Sequence, residues 1–399
     1  MPACLSSPIP ALDAHAGPLP VGDPTDPVPA DLLAVLGTVP DPRASRGVRH
    51  RMVSVLGIAV CAVLTGARTF TAIAEWAHDL PLGVRVRFGL GRATPSESTI
   101  RRVLQGVDGD ALDRATCRWI LARARADQTN RAGPVAAGVA GGPVIAIDGK
   151  SARGARGPDG RAVHLLAAFD QVSGVVLGQS VVDGKTNEIT AFAPLLDRLE
   201  ISGAIVTADA LHTQHRHADY LTGRGAHYVL TVKRNQPGLH RQLAALPWAD
   251  VPAGDLTRGK GHGRTESRTV KLVAVTTGIG FPHARLAIQI IRRRRSLTSR
   301  KWHTEIVYAV TDLTWSDIGP DRLAALIRGH WGIENRLHWV RDVTFAEDHS
   351  QIRTGNGPAV MATLRTLAVS RHRLAGATNI AAACRTVGRH PKRALQLLT

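Results

Sequence analysis

The sequence predicts an α/β protein in which a small helical domain precedes a mixed β-sheet with helices on its faces. Three observations predict it. A chain of 399 residues with 44% hydrophobic composition can bury more than one core. In its first third, apolar residues recur at helical spacing between capping signals. Beyond Gly142, short β-branched runs alternate with helical stretches, the pattern of strands covered by helices.

Taken in order, residues 1–30 hold eight of the 23 prolines, three aspartates and no lysine or arginine. Such a segment neither builds a core nor grips a phosphate, so it reads as a disordered leader. Residues 31–126 read as helical, through Leu32, Leu33 and Leu36, then 53–65, 71–76 and a capped start at 96–98 leading into Ile100, Val103 and Leu104. Arginine clusters at 43–51 and 85–102 alternate with these apolar stretches. They fit contact with DNA, with a solvated surface as the alternative. Residues 127–142 form a glycine and alanine linker. Strands are then expected at 144–148, 162–170 and 175–182, with a glycine-rich turn at 153–161. A helix at 187–199, a strand at 204–208, a helix at 212–224 and a strand at 228–232 follow. Further strands at 270–275, 285–292 and 301–311 carry a basic turn at 259–263, and the chain is helical after about residue 316.

Fifty lysines and arginines against 32 acids give a formal charge of +18, which points to a polyanion such as nucleic acid. No apolar run reaches the ~18 residues of a membrane span, so no membrane partner is expected. No secretory signal is evident. The four cysteines lie far apart without a C-x-x-C pair, which argues against structural zinc and fits a reducing cytosol.

Asp148 closes one apolar strand and Asp209 follows another. Acids in that position sit at the carboxyl edge of a sheet, where two of them can converge on a hard cation such as Mg²⁺ or Mn²⁺. Capping of the next turn is the alternative for each. Gly149-Lys150-Ser151 is not a phosphate-binding loop, because the glycine that motif requires at position 144 is Val144. His212, His215 and His217 read as a solvated helix face. Arg292 to Arg295, set against Lys260, His262 and Arg264, read as a phosphate-gripping ribbon, with a solvated hairpin as the alternative. On a helix spanning 323–343, Ile327, His330, Glu334, His338 and Arg341 share one side, and Trp331 and Trp339 are expected to pack it on the sheet. Asp342 would be rotated roughly 80° from Glu334 at ~100° per residue, while Glu347 and Asp348 read as an exposed pair in a turn.

Six blocks then occur together in order: Ile147-Asp148-Gly149-Lys150, residues 183–188, Thr207-Ala208-Asp209-Ala210-Leu211-His212, residues 232–237, residues 262–266, and His330-Trp331-Gly332-Ile333-Glu334-Asn335 running on to His338-Trp339 and Glu347-Asp348. In this combination the chain resembles the ISAs-type bacterial insertion-sequence transposases, or H-repeat-associated proteins, from about residue 32 to 374. The resemblance implies a ribonuclease-H-like catalytic core over 143–399, with a β-rich insertion at about 246–312, preceded by a helical DNA-binding domain. It implies that Asp148, Asp209 and Glu334 are the catalytic triad, holding two Mg²⁺ or Mn²⁺ ions for an in-line displacement without a covalent protein intermediate. Lys150, Lys185, Lys233, His330 and Arg341 are the expected DNA-contacting residues. The wider superfamily places a tyrosine, an arginine and a basic residue around the glutamate; here those positions are Ile327, His330 and Arg341, and only Arg341 matches. The expected partners are the inverted-repeat ends and target DNA, bound by a homodimer in the bacterial cytoplasm with the nucleoid. Inactivated DNA-binding remnants and nucleases without strand transfer remain as alternative readings.

Overall fold

Met52–Leu64 is apolar on every side, and a helix with that pattern belongs in an interior. Every one of its residues except Val53 is buried. The computed structural model describes residues 31–46, 48–131, 142–156, 162–182, 188–261, 263–299 and 301–399, without the side chains of 127–131. The leader at 1–30, Lys185, His262 and residues 132–141 of the expected linker therefore lie outside what is described, while residues 127–131, expected as linker, continue the helix Gly109–Arg131.

The described chain is a mixed α/β fold with a nine-stranded sheet. The strands are β1 (Val144–Arg156), β2 (Ala162–Asp170), β3 (Val176–Val182), β4 (Ile205–Ala208), β5 (His227–Val232), β6 (Asp255–Gly261), β7 (Arg264–Ala274), β8 (Leu286–Ser296) and β9 (His303–Thr311). Their order is β3-β2-β1-β4-β5-β9-β8-β7-β6. β1, β4 and β5 are parallel; β2–β3 and the series from β5 through β9, β8 and β7 to β6 are antiparallel.

The described residues within 142–148 and 201–332 form one compact unit, and those within 31–131, 149–200 and 333–399 another. In the first, Val144, Ile205 and Val229 of the parallel strands join Ile288, Leu313, Leu323 and Leu326 in one core. Val144–Ile147 of β1, all of β4 and the centre of β5 are buried, which is why they read as unbroken apolar runs.

In the second unit, Met52–Leu64 packs with the helices Phe70–His78, Glu97–Gly106 and Gly357–Leu374. Thr69 and Ser96 cap two of these by accepting from the Ala72 and Thr99 amides. Helix Glu188–Leu196 covers β2 and β3. Gln179 of β3 donates its amide to Asp113 and its side-chain nitrogen to Thr363, tying the hairpin to two helices. Burial pushes the Asp113 carboxyl up to about 7.

Three local expectations change. The strand expected to close at Asp148 instead runs on to Arg156, through the first residues of the expected glycine-rich turn. The basic turn expected at 259–263 includes the end of a further edge strand, β6. His212 and His217 are buried, not a solvated face: His217 Nδ1 lies 3.0 Å from the His212 carbonyl, and the rings stack at 5.7 Å. Among the described residues no helix is long and apolar enough to cross a membrane.

Candidate functional site

Parallel pairing of β1 with β4 sets the site. The register runs from Val144 opposite Ile205 to Ile147 opposite Ala208. Asp148 and Asp209 are each the next residue, so neighbouring strands carry the two aspartates to the same level. Both are partly buried. Asp209 Oδ1 accepts from the Leu211 amide at 2.9 Å, capping the 3₁₀ turn Ala210–His212. Capping thus occupies one carboxylate oxygen and leaves the other for a second partner.

The helix Pro320–His330 ends in a turn at Trp331, and Glu334–His338 is a π-helical turn before Trp339–Val343. A π turn takes in an extra residue, and such turns recur at functional sites. Within it His338 Nδ1 lies 3.0 Å from Glu334 Oε2. That hydrogen bond, against the cost of burial and with the nearby Lys150 ammonium, holds the Glu334 carboxyl below its ordinary range. Glu334 is half exposed, and His338 is buried.

In the second unit, Glu334 and His338 set a carboxylate and an imidazole side by side, an oxygen and nitrogen donor pair that suits Mg²⁺ or, better with the nitrogen, Mn²⁺. In the first, the register sets Asp148 level with Asp209.

The extra residue of the π turn also breaks the single helical stripe expected over 323–343. Arg341 is fully buried, with its guanidinium on Glu347 at 2.8 Å. The expectation that it contacts DNA is corrected on this ground, because a phosphate cannot reach it. Glu347 is likewise not an exposed turn residue: it accepts from both Arg341 and Arg365 in the interior. Burial alone would push its carboxyl up, but the two guanidiniums outweigh it and hold the group at about 2. Trp331 and Trp339, expected to pack the helix down, are exposed.

Lys150 is 8% exposed and pairs with Asp342 at 2.7 Å and with Asp348 at 3.7 Å. Burial pushes the Asp342 carboxyl up, and Lys150 opposes it. Sequence reasoning missed this pairing, since Lys150 and Asp342 are 192 residues apart and only the fold joins them. His330 Nδ1 lies 2.9 Å from Thr207 Oγ1 on β4, so this imidazole is engaged with the sheet. Lys233 is exposed just beyond β5.

Comparison with known proteins completes the description. A family model described as "Transposase DDE domain" matches residues 140–370, and a model for its associated domain matches residues 33–120. A protein of Escherichia coli O157:H7 that carries a transposase name, YncI, is 30% identical over 352 residues, covering 85% of this chain and 86% of that one. An H repeat-associated protein of Escherichia coli K12, YhhI, also named as a transposase, is 28% identical over 355 residues, covering 85% and 89%. A solved piggyBac transposase synaptic complex with hairpin DNA aligns with a TM-score of 0.38 at 13% identity, over 91% of this chain and 77% of that one.

Proposed function

Because the chain belongs to the Transposase DDE domain family, we propose that it cuts DNA at the ends of an insertion sequence and joins the freed 3′ ends to target DNA. Asp148, Asp209 and Glu334 are the catalytic acids in this reading. The observation that carries it is the parallel register of β1 with β4, which sets Asp148 level with Asp209; in the second unit, the Glu334 carboxylate is hydrogen-bonded to His338. When bound by these residues, a Mg²⁺ or Mn²⁺ pair supplies Lewis acidity to the phosphoryl group and lowers the pKa of an attacking water or 3′-hydroxyl.

The chain's own groups prepare that site. His338 keeps Glu334 ionised and therefore an acceptor only. Lys150, held by Asp342 and Asp348, balances the local negative charge from a fixed position. Lys233 and Lys185 are read as phosphate contacts. His330 serves from its place on Thr207. The sheet is read as a ribonuclease-H-like core, residues 31–126 as a DNA-binding domain, and the working form as a homodimer on DNA in the cytoplasm.

The test uses the purified chain and a DNA duplex spanning its gene with both flanks. Metal-dependent nicks at two inverted repeats, followed by joined products with a target plasmid, are expected. Full cleavage in excess chelator refutes the metal-ion chemistry. Cleavage without joining supports a nuclease instead, and binding without either supports a remnant that only recognises DNA.

A second DNA surface is read on the antiparallel half of the sheet. Arg268 faces Arg292, and Glu266 faces Arg294 across β7 and β8. Arg293 and Arg295 lie over the Trp302 ring at 5.3 and 5.0 Å. Arginine stacked on an aromatic ring keeps its charge and loses freedom, which suits phosphate binding. Changing Arg292, Arg293 and Arg294 together to Ser is expected to lower the slope of log affinity against log salt by roughly 0.9 for each phosphate that is no longer neutralised. An unchanged slope in a filter-binding titration would remove this ribbon from the DNA surface.

A further inference from the structure

Beyond Asp148, β1 alternates its side chains between two environments, as a strand must. Lys150 takes one face, among Asp342 and Asp348. Gly149 and Ser151 take the other, and there a polar chain of three groups runs inward. Ser151 Oγ lies 2.8 Å from His164 Nδ1 on β2. His164 Nε2 lies 2.7 Å from Glu188 Oε1, in the first turn of helix Glu188–Leu196. His164 and Glu188 are each 3% exposed, and Ser151 is at the surface. A Cβ added at Gly149 would stand 2.5 Å from the carboxyl carbon of Glu188. The carboxylate therefore lies directly against the backbone one residue after Asp148.

The direction of this chain follows from its donors and acceptors. An ionised carboxylate only accepts, so Nε2 of His164 carries a proton, and with the imidazole neutral Nδ1 accepts from the Ser151 hydroxyl. Each group thus has one orientation. A buried polar pair costs desolvation that an apolar pair would avoid, and its return is a fixed geometry. What it fixes here is the stretch of β1 from Gly149 to Ser151.

We propose that Glu188, His164 and Ser151 form a brace that holds β1 against its neighbours just past Asp148, making them positioning residues for the Asp148 carboxylate. The proposal rests on the reading of Asp148 as a metal ligand and adds to it a support that no helical or strand pattern revealed. A ligand must be held within a fraction of an ångström and a few tens of degrees to serve. The brace acts along a single strand, through the peptide units that join Gly149 and Ser151 to Asp148.

The test measures Mn²⁺ binding to the full chain without DNA, by the electron paramagnetic resonance signal of free Mn²⁺, beside cleavage kinetics and thermal melting. His164→Ala is expected to weaken Mn²⁺ binding by roughly 10- to 100-fold, as loss of an orienting partner does at other metal sites. It should lower kcat and leave KM for DNA unchanged. His164→Gln, whose amide can donate to Glu188 and accept from Ser151, should restore most of the affinity. Ser151→Ala, at the exposed end and compatible with folding, should cost about fivefold, the worth of one hydrogen bond. Wild-type Mn²⁺ affinity in folded Ser151→Ala and His164→Ala, with affinity lost in Asp148→Asn, overturns the brace alone. Wild-type affinity in Asp148→Asn overturns the metal-ligand reading and the brace with it.

Discussion

Asp148→Asn is expected to lower metal-dependent cleavage of end DNA by at least ~10³-fold while DNA affinity changes little. Residues that act as one unit lose their catalysis together, so removing a single ligand removes most of the gain. The substitution keeps the shape of the side chain and removes its charge. Binding should survive because the positive surface that attracts DNA lies on arginines and lysines elsewhere, including the exposed Arg292, Arg293 and Arg294. Glu334→Gln should behave in the same way, since this carboxylate is the third proposed acid and is held by His338. A single-turnover nicking assay with matched binding titrations reads both variants. Nicking at the parental rate by Asp148→Asn would remove the strand-end acid from the chemistry.

Glu347→Ala is expected to cost about 3 to 5 kcal/mol of stability, because it leaves Arg341 and Arg365 buried without their counter-charge. The same ion group has a pH signature. Its folded pKa, about 2, lies below the ordinary glutamate value of 4.5, so the stability it contributes is present above about pH 4.5. That contribution is lost progressively as pH falls from 4.5 toward 2. Urea melts across that window should show the parent losing stability and Glu347→Ala losing less. A parent curve no steeper than the variant's would remove the linkage. The experiment also separates two kinds of inactive protein. Glu334→Gln should be folded and unable to cut, whereas Glu347→Ala should fail through folding.

Much of the fold was legible in the chain because its elements are locally consistent. The strands that lead into Asp148 and Asp209 follow from unbroken apolar runs, although β1 runs on past Asp148 to Arg156, and the helix start at Ser96 follows from its capping hydroxyl. The candidate acids stand out because each directly follows such a run, although capping is an equal reason for an acid there and Asp209 does cap its turn. What stayed hidden depends on distance along the chain. No spacing rule pairs Lys150 with Asp342, or Glu347 with Arg365. Glu347 reads as exposed because it follows a helix end, and only its two guanidinium partners explain its burial. The π turn at Glu334–His338 was equally invisible, since a count at ~100° per residue assumes the turn is α. That assumption put Arg341 on one site-facing side with Glu334 and packed both tryptophans on the sheet, whereas Arg341 is buried and the tryptophans are exposed.

The antiparallel strands β6 to β9 join the parallel core at a single seam, where β9 runs beside β5 from Val229 opposite Thr311 to Val232 opposite Tyr308. Everything beyond that seam is hairpin, each strand paired only with the next. Such an attachment is modular in descent. A strand pair can be gained, lost or lengthened at the β6 edge without altering the register that sets Asp148 beside Asp209. Natural variation in length should therefore collect in this half, where recognition can diversify while the chemistry stays constant.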